Sequence, residues 1–386
     1  MPNNHLFMPA DSVPADSVPV DPVPVGAPVG SVPVRPPDLR PRPRRPRRRP
    51  AALIPVLLAL LAGAGLQACQ QPQLPTPTPP TPPSPSATAP APALYSPTSL
   101  WNTLVPPDTG ADANSATMLR TVVEAARAQG FVIAVREWSR PLHYADATTP
   151  RHTVTLTAPW APASTISGVP IPAHTVPDPA GDGHMVIIDR STGCEYDFWQ
   201  AVRNADGGWS ASWANATSTA GPGWYPRGLS ATGSGAAGAA GVIRPEELRD
   251  GEIRHALFFA YPQTRAGAPV LPATEADGTS TNVGAIPEGA RLQLDPGVDL
   301  STLGLNQYEM IIARALQRYG MILGDTGGGV GLVAQNPLST TVPYPWGDQT
   351  YVGLPQSLLT HMRVLTLGEP NDNATSIEPT PCATLR

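Results

Sequence analysis

Proline restricts this chain more than any other residue: 26 of its 51 prolines fall within the first 100 of 386 residues. A residue that fixes φ and has no amide hydrogen cannot build helices or strand ladders at that density, so the opening quarter cannot hold a packed core. Folding is expected from about Ser96 onward, a length sufficient for one large domain. All 8 tryptophans lie beyond residue 100, where a core can use them. Lysine is absent and every basic residue is arginine, which we read as the codon bias of a GC-rich bacterial genome.

Charge divides at Cys69. Residues 1–69 carry 8 Arg against 4 Asp, and the remainder carries 17 Arg against 26 acids, a net −9 that argues against a nucleic-acid partner. The eight arginines crowd between Arg35 and Arg49, directly before an apolar run over 51–66. That order matches a secretory signal, and the run, interrupted by Pro55, is shorter than the roughly 20 residues of a spanning helix. The predicted organisation is a Pro/Arg-rich N-terminus over 1–50, an apolar region ending at Cys69 over 51–69, a Pro/Thr/Ser linker over 70–95 and a folded domain over 96–386. The repeat of Asp11-Ser-Val-Pro at Asp16 adds nothing a signal needs, and translation is expected to begin later, for example at Val34.

The segment Leu66-Gln67-Ala68-Cys69 resembles the lipobox of bacterial lipoproteins, with Gln67 departing from the usual small or β-branched residue. The resemblance implies acylation of Cys69, membrane attachment through that anchor and display at the cell-envelope surface, the linker acting as a tether. Ordinary cleavage near Ala68 is the alternative. With Cys69 acylated, Cys194 and Cys382 remain and are expected to form a disulfide in an oxidising compartment, two free thiols being the alternative.

Apolar spacing predicts a helix over 114–130 with Leu119, Val122, Val123 and Ala126 on its buried face, and a second over 306–319 opened by the capping box Asn306-x-x-Glu309. A single turn led by Pro245 carries Glu246 and Glu247. Strands are expected over 131–138, 152–157, 184–189, 194–202, 208–215, 254–261, 290–294, 320–324, 329–335 and 361–367. Ten short strands with few helices indicate a mainly β fold, an antiparallel β-sandwich or jelly roll with two peripheral helices. The tract Gly233–Gly241 suits close backbone packing or a flexible loop. A P-loop is excluded in a chain without lysine, and no nucleotide or other cofactor is expected.

Chemistry concentrates between Asp182 and Gln200. Pairing Asp189 with Cys194 across the turn 190–193 puts Met185, Ile187, Tyr196 and Phe198 on one face. His184, Val186, Ile188, Glu195, Asp197 and Trp199 then share the other. Carboxylates two apart on a strand lie about 6.5 Å apart and raise one another's pKa. Glu195 and Asp197 resemble the first two acids of the Glu-x-Asp-x-x-Glu strand of β-jelly-roll glycoside hydrolases, although the third position is Gln200. The resemblance implies a retaining hydrolase of polysaccharide, with Glu195 and Asp197 as nucleophile and acid/base. His184, helped by His255 and Arg254, offers proton abstraction as in polysaccharide lyases. Asp182, His184 and Asp197 could converge on a metal, but without a His-x-His spacing no metal site is assigned.

The next strand has two registers. A four-residue loop pairs Arg203 with Gly208 and sends Trp209 and Trp213 to the core, leaving an open groove beside Asp197 and Trp199; apolar burial favours it. A three-residue loop with a bulge at Gly207 pairs Asn204 with Gly208 and sets Trp213 beside Trp199 as an aromatic platform. The stretches 182–200 and 275–294 resemble a family of secreted bacterial proteins without established activity. The expected protein is a surface lipoprotein that binds, and as an enzyme cleaves, polysaccharide, with Asp182, Trp199, Trp213 and Arg254 contacting the ligand. A non-catalytic adhesion module or a structural envelope protein are the alternatives, the charged strand face being then merely solvated.

Overall fold

The computed structural model describes residues 93–371 and 377–385; the arginine cluster, the apolar run, Cys69, Val34 and the linker up to residue 92 lie outside the described residues. The described chain runs helix α1 (Ser115–Gln129), strands β1 (Phe131–Ala134), β2 (Leu142–Ala145), β3 (Arg151–Leu156), β4 (Thr165–Pro170), β5 (Met185–Asp189) and β6 (Cys194–Trp199), then β7 (Val202–Arg203), β8 (Trp209–Ala211) and β9 (Trp213–Ser218). After helix α2 (Pro245–Asp250) come β10 (Leu257–Tyr261), β11 (Arg291–Leu294), α3 (Gln307–Arg318), β12 (Met321–Thr326), β13 (Val330–Val333), β14 (Tyr351–Gly353), α4 (Gln356–Thr360) and β15 (Met362–Val364). The unit is mainly β with few helices, as the sequence implies.

Its sheets are mixed, which corrects the antiparallel expectation. A seven-stranded sheet has the order β14-β1-β13-β10-β12-β11-β15, and two four-stranded sheets have the orders β2-β5-β6-β9 and β4-β3-β8-β7. The parallel pairs are β1 with β13, β10 with β12, β2 with β5 and β3 with β8. Alternation along a strand reports which residues share a face, and it carries no information on the direction of the neighbouring strand.

Three apolar clusters separate these layers. The first joins α1 and α3 to one face of the seven-stranded sheet. The third contains side chains from both four-stranded sheets, among them Val154, Ile166, Met185, Ile187, Phe198, Trp209 and Trp213. The second joins Val186 and Ile188 to Phe258, Ile322 and Val333 through the alanines of the 236–240 segment. The β2-β5-β6-β9 sheet is therefore covered on both faces, and every residue of β5 is buried. A strand face that carries Glu195 and Asp197 is a second interior rather than the solvated side.

Local signals hold well. The β5–β6 register is the one expected, from Met185 opposite Phe198 to Asp189 opposite Cys194. The α3 capping box forms, with Glu309 N donating to Asn306 Oδ1 at 3.0 Å and Asn306 N donating to Glu309 Oε2 at 2.8 Å. Helix α1 is rotated from expectation: Met118, Thr121, Val122, Ala125 and Ala126 are its inner residues, and Leu119 and Val123 are only partly buried. Cys194 and Cys382 are joined by a disulfide with Cα atoms 5.5 Å apart.

The third strand corrects the favoured register. Arg203 lies opposite Trp209, Asn204 N donates to Gly208 O, and Gly207 has φ +85°, the signature of the three-residue loop. Trp199 lies opposite Trp213, yet Trp209 and Trp213 are both buried between the four-stranded sheets. The reason is a corner. The strand breaks at Ser212, β8 joining β3 and β7 while β9 joins β6; Trp209, Ala211 and Trp213 stay inward across the break, and the inward parity changes only after Trp213, to Ala214 and Ala216. No open groove or Trp199–Trp213 platform results; Trp160 packs on Trp213 at 5.0 Å instead.

Candidate functional site

Glu195 and Asp197 occupy the inner layer with 0% and 1% exposure. Glu195 accepts from Tyr95 Oη at 2.7 Å and from Ala239 N at 2.8 Å. Asp197 accepts from Tyr225 Oη and from Gly238 N, both at 2.9 Å. Burial, and for Glu195 also the Asp197 charge, pushes both carboxyls up, Glu195 well above its ordinary range. The glycine-rich tract exists for this contact: a Cβ on Gly238 would lie 2.6 Å from Asp197 Oδ1 and 2.6 Å from Val186 Cγ2. The expected nucleophile pair is thus sealed behind two tyrosines and a backbone segment, and it ties that segment to β6.

A second polar cluster, mostly buried, gathers around His184 and Arg140. Asp178, itself buried, accepts from the amides of Trp138, Ser139 and Ala180 and from Ser139 Oγ and Asn336 Nδ2. This anchors the segment that delivers Arg140, whose own backbone bridges to Gln335. The Arg140 side chain is 6% exposed, lies over the Phe258 ring at 5.7 Å, and reaches to 3.8 Å from Asp325 Oδ2. Asp325 sits at a bulge in the β10–β12 pairing, a device that re-aims a side chain out of alternation. Asp182 is oriented by Trp199 Nε1, which donates to its Oδ1 at 3.2 Å.

His184, immediately before β5, is 5% exposed. Its Nδ1 faces the Phe198 carbonyl at 3.2 Å, and a carbonyl only accepts, so the ring hydrogen resides there. Nε2 then carries the lone pair and faces Asp182 Oδ2 at 3.7 Å. Burial, reinforced by the Arg140 charge, pushes the imidazole well below its usual range, which favours the neutral base. Burial pushes the Asp182 carboxyl up, with the Trp199 donor opposing. Asp325 is held well above its ordinary range by burial and then by the charge of Asp277. Trp138 and Gln200, two of the three non-glycine residues with positive φ among the described residues, flank this segment, and Gln200 N donates to Asp182 O at 2.7 Å. Such backbone conformations cost energy and concentrate at working sites.

The structure separates His255 and Arg254 from His184. His255 Nε2 meets Glu247 Oε1 at 3.0 Å and its Nδ1 meets the Ala256 carbonyl at 2.8 Å, so both ring nitrogens are engaged. Glu247 also takes Arg244 at 2.5 Å. Arg254 is exposed and pairs with Glu252. These residues, with Tyr95, Trp101 and Ala239, line a cavity of about 330 Å³ on the far side of the Tyr95 and Ala239 donors from Glu195. Trp199 and Asp182 meet at the His184 site, and Trp213 belongs to the core.

Arg140, Asp178, Asp277, Glu288 and Asp325 escape sequence reasoning. Asp325 lies in Gly324-Asp-Thr-Gly327 and Asp277 precedes Gly278. Acids beside glycines with no turn to serve were the signal available; Arg140 had none. Comparison with known proteins finds no matching family model, no matching curated protein and no matching solved structure.

Proposed function

We propose that the protein is an exported lipoprotein, anchored through Cys69, whose layered and sandwich-like β domain binds polysaccharide and cleaves it at the cluster of His184, Asp182 and Arg140. What carries this reading is the pairing of His184 Nε2 with Asp182 beside a buried guanidinium. A neutral imidazole accepts a proton, an adjacent carboxyl of raised affinity returns one to the leaving oxygen, and Arg140 suits an acidic sugar carboxylate. In a uronate polymer the carbon–hydrogen bond beside the carboxylate breaks, the glycosidic carbon–oxygen bond breaks, and a carbon–carbon double bond forms. Trp138 and Trp199 supply partly exposed rings at the rim for stacking. This moves proton handling from Glu195 and Asp197, which are closed to solvent, to His184 and Asp182.

A panel of neutral and acidic polysaccharides, followed by reducing-end release and by the ultraviolet absorbance of unsaturated uronate, tests the reading. Turnover lost in His184→Asn supports it; reducing ends without unsaturation would identify hydrolysis. Retention of glycans with no turnover would instead make the protein a binding module, which the closed Glu195–Asp197 pair favours as second reading. Metabolic labelling with a fatty acid, lost in Cys69→Ser, tests the anchor.

A further inference from the structure

Asp277, Glu288 and Asp325 come from two loops and a strand, and each offers a carboxylate oxygen within 4.8 Å of the others. Glu288 is 0% exposed, and while its Oε2 accepts weakly from Asp277 N at 3.3 Å, its Oε1 has no hydrogen-bond partner. A buried carboxylate oxygen without a donor is costly unless a proton or a cation completes it. Thr326 Oγ1 donates to Asp277 Oδ1 at 2.5 Å and holds that carboxylate in place. The loop at Gly233 closes so tightly that a Cβ there would lie 2.8 Å from Asp277 Cγ and 3.0 Å from Asp325 Oδ1. Glu288 is thus enclosed, Asp325 is partly so, and Asp277 closes the group on its open side.

The charges define what fits. Three carboxylates and the Arg140 guanidinium, 3.8 Å from Asp325, leave an excess of two negative charges. The donor set is all oxygen, which selects hard cations over zinc or copper. Calcium takes six to eight oxygens at about 2.3–2.6 Å in flexible geometry and so suits an irregular set of acids from separate loops, whereas magnesium demands near-ideal octahedral geometry.

We propose that Asp277, Glu288 and Asp325 form a divalent-cation site of calcium type, with water filling the remaining positions on the open side. The site lies beside Arg140 but does not depend on the glycan reading, since occupancy is measured without any polysaccharide. The sequence reading assigned no metal here because the three acids are separated by turns, and only the fold joins them.

Isothermal titration of the chelator-treated full chain with calcium chloride should show one site per chain. Magnesium should bind roughly tenfold or more weakly, and Asp277→Asn should weaken calcium by a similar factor. Asp277 is the variant of choice because it is not buried as Glu288 is; an exposed acid on the opposite ledger, Asp348→Asn, serves as control and should leave the titration unchanged. Wild-type melting temperature should rise with calcium and return on chelation, a readout that needs no variant. Absence of heat and of any melting shift in the wild type would overturn the proposal, leaving protons to complete the cluster. Equal affinity in Asp277→Asn would also overturn it, by placing the ion elsewhere.

Discussion

Two groups of carboxylates that both feel the Arg140 charge are treated differently by the fold. Glu195 and Asp197 are closed in by Tyr95, Tyr225 and the amides of Gly238 and Ala239. Asp277, Glu288 and Asp325 have one strong side-chain donor, Thr326 Oγ1 to Asp277; an unpartnered buried oxygen remains in each group, Asp197 Oδ1 and Glu288 Oε1, but only the second group reaches solvent, through Asp277. Donors built into the backbone hold an acid as structure, because they are fixed and cost nothing further to orient. Acids gathered without them are left to recruit a proton or an ion, and that is where function is to be sought. The difference lies in what surrounds the side chains and not in their type.

The sharpest division between the regions is expected from His184→Asn. The amide keeps a donor for the Phe198 carbonyl but supplies no base, so turnover should fall about 10²–10⁴-fold with little change in melting temperature. A melting temperature that collapses together with activity would move His184 to the structural side. Next in size, Asp197→Ala should destabilise by about 3–5 kcal/mol in urea unfolding, because it strands the Tyr225 hydroxyl and the Gly238 amide. Asp277→Ala, which strands no buried cation, should be close to neutral or stabilising without calcium. Equal losses at the two positions would erase the distinction drawn above.

Acid titration separates two more buried glutamates. Burial opposes ionisation of Glu247, yet His255 and Arg244 overcome it and hold its carboxyl down at about 2, from an ordinary 4.5. Its folded value is depressed, so its contribution, roughly 3 kcal/mol, is present above pH 4.5 and is lost as pH falls towards 2. Glu195 has the opposite sign: its folded value is raised, so stability is full below the ordinary 4.5 and declines as pH rises through the folded value. Melting temperature should therefore peak on the mildly acidic side, and Glu247→Gln should flatten the acid limb while leaving the other. The smallest effect is expected for Arg254→Ala, whose exposed pair with Glu252 should leave both stability and turnover unchanged within error. A loss of turnover there would bring the His255 cavity back into the active site.

The secondary structure was largely legible in the chain. Eight of the ten expected strand segments overlap one strand apiece and two, 194–202 and 208–215, overlap two each, both long helices form, and the β5–β6 register follows from apolar alternation. Strands β2, β4 and β14 were not anticipated, being short or polar. Of the site, His184, Asp182 and Trp199 were legible because they lie within one hairpin; Arg140, Asp277, Glu288 and Asp325 were not, because no local rule links residues so far apart.

By itself the sequence determined the β5–β6 register and the Asn306–Glu309 cap, which rest on periodicity and short-range hydrogen bonding, and it favoured the Cys194–Cys382 pairing over two free thiols. Only the tertiary structure decided that the charged face of β6 would be interior, that one expected strand would divide at Ser212 between two sheets, and that three distant acids would meet. A strand's alternation states that its two faces differ. Which of them meets water depends on the layer laid over it, here the seven-stranded sheet and the glycine-rich tract, and that is a property of packing rather than of neighbouring residues.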